Sequence, residues 1–305
     1  MENNKENNPL LCDVKSGMCE IPTSENALSS EKVSINEKPI KIIYYTDPIC
    51  SSCWGLEPQL RKLKLEYGHL IDIDYRMGGL LPDWAYMTGG LSKPADVAEH
   101  WDEVSLYYDM PIDGDLWLED PMSSSYPPSI AFKAAQMQDS EKAVLFLRQM
   151  RELLFLEKKN MAKWENIVLA AKDTGLDMIQ LLSDYEGRAS DLFKEDLLLA
   201  KKMSVKGFPT FFFANVKGDQ EIIYGTRPYE VFESKILKLY PKAGKRKYNT
   251  GMSFLFQKFK SLTVREFTEL SSVHREKAEI YLENLSESKT LEKTITKNGN
   301  LYFKE

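Results

Sequence analysis

The sequence predicts an α/β fold, and three observations predict it. A β-rich run, an amphipathic helix and a second β run open the folded part. A long stretch of three-and-four apolar spacing follows, and two further β runs with a closing helix complete the unit.

The elements follow in order. Residues 1–37 are rich in Asn, Ser, Glu and Lys and carry no periodic pattern, so a disordered or loosely docked leader is expected. KIIYYTD (41–47) has the length and composition of a buried strand, and Pro48 ends it. From Cys53, the apolar positions Trp54, Leu56, Leu60, Leu63, Leu65 and Tyr67 suit one helix, with Gly68 as its stop. IDIDYRMGGL (71–80) alternates and reads as a strand with one solvated face.

The stretch from about 95 to 203 is helical by its spacing in IAFKAAQMQ, AVLFLRQMRELLFLE, WENIVLAAKDTG and LDMIQLLSDY. Strands return at 209–216 and 221–226, and the helix 229–240 closes a domain over 38–240. Residues 241–251, with Pro, two Gly and a basic cluster, read as a linker. Beyond it, three short helices and a hairpin with Asn-Gly at its turn suggest a small winged-helix-like domain over 252–305.

The 305 residues carry a net charge of −6, which argues against non-specific binding to nucleic acid or an anionic membrane. The C-terminal domain carries nine Lys or Arg against eight Asp or Glu. Its candidate recognition helix holds Glu276, Glu279, Glu283 and Glu287, which would repel phosphate, so it reads as a protein-binding or dimerising module. No run is apolar for 18 residues, and MENNKENNPL lacks the basic and apolar regions of a signal peptide. A cytoplasmic protein is expected, in which a Cys-x-x-Cys pair is redox-active, sensing or metal-binding rather than a staple.

Cys50 and Cys53 are that pair, placed after a strand and a proline bend and at the opening of a helix. The helix N-terminus should favour the Cys50 thiolate, with Cys53 one turn inward to resolve a mixed disulfide. Ser51-Ser52 between them adds neither a cation nor a rigid proline, so a moderately lowered Cys50 pKa is expected. Asp47 is read chiefly as a bend cap and Glu57 as a partly exposed helix residue, with a proton-relay role as the sharper alternative for each. Trp54 is expected to pack beside the active-site helix and shape the surface near Cys50. Cys12 and Cys19, separated by six residues in the leader, read as a second redox pair in preference to a metal site. His69, His100 and His274 show no ligand spacing, and no metal or organic cofactor is expected.

The element order is thioredoxin-like, and its helical insertion resembles the DsbA family, in particular the cytoplasmic FrnE-like branch. The stretch Asp47-Pro48-x-Cys50-x-x-Cys53-Trp54-x-Leu56-Glu57-Pro58, together with AFKAA (131–135), FLRQM (146–150) and LFLEKKN (154–160), is similar to ClpXP adaptors of the YjbH/SpxH type. The resemblance covers residues 40–240, and such adaptors also carry an extra domain. It implies that Pro209 of KGFPTFFF is a cis-proline facing the cysteines, and that the backbone of Phe208 pairs with a substrate chain. The leader departs from the His- and Cys-rich zinc-binding N-terminus of those adaptors, since it has no histidine. The reading drawn from this is a thiol–disulfide oxidoreductase or isomerase acting on protein thiols and disulfides through Cys50 and Cys53, with Phe208, Pro209 and Trp54 positioning the partner. The alternative is an adaptor that docks a regulatory protein for a ClpXP-type protease, with the cysteines as sensor or vestige.

Overall fold

The computed structural model describes residues 10, 13–20, 38–84 and 93–304. The first element is a two-residue strand, β1 (Cys19–Glu20). The central strand β2 (Ile40–Thr46) leads into α1 (Ser51–Gly55), α2 (Glu57–Tyr67) and β3 (Ile71–Met77). The expected single helix is thus two. Pro58 stands in the first turn of α2, where its missing N–H costs nothing, and it could not continue α1.

The insertion contains α3 (Pro94–Tyr108), α4 (Leu116–Glu119), α5 (Tyr126–Gln138), α6 (Ser140–Glu157), α7 (Trp164–Ala171), α8 (Met178–Glu186) and α9 (Ala189–Lys202). The chain then returns through β4 (Gly207–Phe208), β5 (Thr210–Asn215), β6 (Gln220–Tyr224) and α10 (Tyr229–Leu239).

The main sheet has the order β3-β2-β5-β6, with β2 parallel to β3 and antiparallel to β5. The register places Tyr44 between Tyr75 and Phe211, and its ring stacks on Phe211 with centroids 4.2 Å apart. Helix α10 sets Phe232 edge-on to Phe211. Buried Asp196 of α9 accepts from the Met77 amide at 3.1 Å and pairs with Arg76 at 2.8 Å and Lys133 at 2.9 Å. That carboxylate fastens the insertion to the end of β3.

The C-terminal domain runs α11 (Met252–Lys258), β7 (Ser261–Thr263), α12 (Val264–Ser271), α13 (Arg275–Glu287), β8 (Glu292–Thr296) and β9 (Gly299–Phe303). The helices and hairpin sit where the sequence predicts them. Strand β7 is additional, and it pairs with β9 to make a three-stranded sheet of order β7-β9-β8. Leu255, Leu262, Phe267, Leu270, Leu282 and Tyr302 form its own core. Thr263 and Glu266 make a capping box at the start of α12.

Candidate active site

The site forms where β2 ends and α1 begins. Asp47 is fully buried and organises the bend: one carboxylate oxygen accepts from the Ile49 amide at 3.0 Å, the other from the Leu80 amide at 2.8 Å and Ser125 Oγ at 3.1 Å. Burial pushes its pKa up to about 6 in spite of these donors. Cys50 occupies the cap position of α1, and its sulfur accepts the Cys53 amide at 3.1 Å.

The peptide bond Phe208–Pro209 is cis. The Phe208 ring fills a notch over Gly78, where a Cβ would stand 1.7 Å from the ring tip. Trp54 is fully enclosed: its indole N–H donates to the Pro111 carbonyl at 3.0 Å, its ring stacks on Phe155, and the Arg148 guanidinium lies over it at 4.3 Å.

The strand site beside Phe208 is occupied by the chain itself. Strand β1 pairs antiparallel with β4, Cys19 opposite Phe208 and Glu20 opposite Gly207. Cys19 Sγ thereby lies 3.7 Å from Cys50 Sγ and 3.6 Å from Ser52 Oγ. Cys19 is disulfide-bonded, whereas Cys50 and Cys53 are free thiols, and all three are inaccessible to solvent. Of the two states expected for the leader, disordered or loosely docked, residues 13–20 are docked. They are held by backbone pairing, which leaves no apolar period in the sequence. Cys12 lies outside the described residues.

This closed arrangement also reverses the expected thiol acidity. Burial pushes the Cys50 thiol well above its ordinary value, and the adjacent Cys53 sulfur adds to the effect. For Cys53 burial works the same way, but the interaction with Cys50, the charge of Arg151 and the Thr46 hydroxyl hold it below the ordinary thiol range. Helix α1 starts at Cys50, but Cys50 is buried away from the water that would solvate a thiolate there.

Arg151 is the site residue that sequence reasoning missed. It is wholly buried, donating to Glu57 Oε1 at 2.7 Å, Thr46 Oγ1 at 2.6 Å and the Asp47 carbonyl at 3.1 Å. Glu57, read as a partly exposed helix residue, is this cation's partner. The available signal was a basic residue inside the apolar helix AVLFLRQMRELLFLE.

A CxxC dithiol at a helix start, a cis-proline entering β5 and a helical insertion together define a thioredoxin-like protein of the DsbA type. A family model described as thioredoxin matches residues 44–234. Among solved structures, the cytosolic disulfide reductase DsbM from Pseudomonas aeruginosa superposes with a TM-score of 0.52 at 22% identity, covering 65% of this chain and 99% of that one. Over nearly its whole length the chain is similar to proteins named ClpXP adapter protein SpxH. The one from Halalkalibacterium halodurans is 32% identical over 301 residues, 97% of each chain, and the one from Bacillus subtilis is 29% identical over 269 residues, 86% of this chain and 88% of that relative. The chain belongs to this SpxH family, built on the thioredoxin-like fold. The oxidoreductase likeness is thus one of fold, and the likeness over the full length favours the adaptor alternative over the redox enzyme.

Proposed function

We propose that this protein is an adaptor that binds a regulatory protein and presents it to the ClpXP protease in the cytoplasm. The relative from Halalkalibacterium halodurans named for that role supports it over both domains, since its similarity extends across 97% of the chain. The observation in the molecule that carries the reading is the closed site. Cys50 and Cys53 have no exposed surface, and the strand position a substrate would take is filled by residues 13–20. An enzyme turning over external protein disulfides needs that position open, whereas an adaptor does not.

The test compares protein half-lives after translation is blocked in cells with and without the chain, and with and without ClpXP. The expected result is a small set of regulatory proteins stabilised equally by either loss, one of which binds the purified full chain. If no protein shares both dependencies, the adaptor reading fails.

A thiol–disulfide exchange function is favoured by one specific observation: Cys50 and Cys53 are free thiols, and Cys50 is in sulfur contact with the half-cystine Cys19. Reduction of insulin by the full chain, lost in Cys50→Ser, is the outcome expected of that second reading.

A further inference from the structure

Whether or not the chain serves a protease, residues 13–20 are built into the site more closely than a passing contact requires. The Asp13 carboxylate accepts the amides of Lys15 at 2.9 Å and Ser16 at 3.1 Å, and the Gly17 amide donates to the Asp13 carbonyl at 2.7 Å. The Thr226 amide then donates to the Gly17 carbonyl at 2.7 Å, and Arg227 Nη1 to the Ser16 carbonyl at 2.6 Å.

Glycines stand where the two backbones meet. A Cβ on Gly207 would lie 2.3 Å from the Cys19 carbonyl oxygen, and one on Gly225 would lie 2.3 Å from that of Ser16. Gly17 has φ +68°, and its Cβ would lie 2.9 Å from the Thr226 amide nitrogen. The Gly207 contact lies at Cys19, the Gly17 and Gly225 contacts lie together at the turn, and the two places fix the strand that carries Cys19.

We propose that residues 13–20 are an internal substrate strand, whose Cys19 disulfide exchanges with the Cys50–Cys53 dithiol. From the singly ionised dithiol, Cys50 Sγ gives its proton to the Cys53 thiolate and attacks Cys19 Sγ, 3.7 Å away. A Cys50–Cys19 bond forms, the former disulfide of Cys19 breaks, and its other sulfur leaves as a thiolate. Cys53 then gives its proton to that thiolate and attacks Cys50. The Cys50–Cys53 disulfide forms and Cys19 leaves as a thiolate.

Two electrons have moved from the CxxC to the leader, one bond has formed for each one broken, and the net charge is unchanged. The oxidant is the disulfide at Cys19, the one within reach of Cys50 among the described residues. The exchange is reversible, so the leader records the redox state of the buried dithiol. Departure of the strand uncovers the site for another chain.

Peptide mapping of the full chain, after acid quench and without reductant, tests this. In Cys53→Ser the mixed species cannot resolve, and a Cys19–Cys50 cross-linked peptide is expected as the main disulfide. In the wild type carrying one disulfide per chain, both the Cys19 disulfide and the Cys50–Cys53 disulfide are expected to interconvert. In Gly17→Ala, alkylation of Cys50 is expected to speed up about tenfold, because a weakened strand opens more often. The proposal is overturned if one-disulfide wild type keeps its Cys19 bond with Cys50 and Cys53 free on prolonged incubation. That arm decides the matter even where Cys53→Ser does not fold.

Discussion

The central domain holds two other parts of the molecule, the strand 13–20 and the C-terminal domain, by opposite chemistry. The strand is attached through backbone hydrogen bonds and glycine contacts. The C-terminal domain is attached through buried charge. Glu266 accepts a two-pronged pair from Arg148 at 2.7 and 3.0 Å and lies 3.2 Å from Arg61. Arg148 also pairs with Glu152 at 2.6 Å, and Arg61 donates to the Ser261 carbonyl at 2.8 Å.

The hairpin tip adds Asn298, which donates to Asp102 and to the Ile112 carbonyl, both at 2.8 Å. An attachment of the first kind can open locally and leave its groups to water. The second opens only if several close ion pairs part together, Arg148 and Arg61 from Glu266 among them. A switch belongs on the first and a scaffold on the second.

The contrast breaks most directly at Glu266. Burial alone would push its carboxyl up, but Arg148 and Arg61 hold it below the ordinary range. Glu266→Gln removes the one carboxylate shared by both cations, leaving Arg148 to Glu152 and Arg61 to the Ser261 carbonyl, and urea unfolding should show a loss of about 3–5 kcal/mol. A loss below about 1 kcal/mol would mean the seam is not the attachment described.

Asp47 supplies a reference inside the central domain, touching neither attachment. Its folded pKa, about 6, lies above the ordinary 3.8 because of burial. The carboxyl therefore contributes stability that is full below pH 3.8 and is lost as pH rises through 6. The loss is about 3 kcal/mol over that window. Asp47→Asn should remove this slope from the pH–stability profile, and a profile parallel to wild type would contradict the burial argument.

Arg151→Met sharpens the electrostatic side. Without the guanidinium, the thiolate absorbance of the pair should titrate at higher pH, since Arg151 is among the groups that lower Cys53. Smallest is Gly17→Ala: amide exchange at Cys19 and Glu20 should quicken, with the strand weakened by about 1–2 kcal/mol and the global unfolding midpoint unchanged.

The sequence made the scaffold legible because burial there has a period. Ile40–Thr46, Ser140–Glu157 and Tyr229–Leu239 fall where apolar spacing puts them. Cys50, Cys53 and Pro209 could be paired across the chain only through resemblance, since nothing local connects them. The ion seam was hidden because Arg148 and Glu266 are 118 residues apart and each reads as an ordinary surface charge. The docked strand was hidden for another reason. Backbone pairing to Gly207 and Phe208 selects no side-chain pattern, and only Asp13 and Gly17 mark its turn.

The central claim, that the chain's own strand covers the thiols, is tested most directly by alkylation of Cys50 in the native full chain across sub-denaturing urea. Cys50 should be protected, with a shallow urea dependence set by opening of residues 13–20, which exposes little surface. Labelling at the rate of an open thiol, or protection as steep as global unfolding, would contradict it.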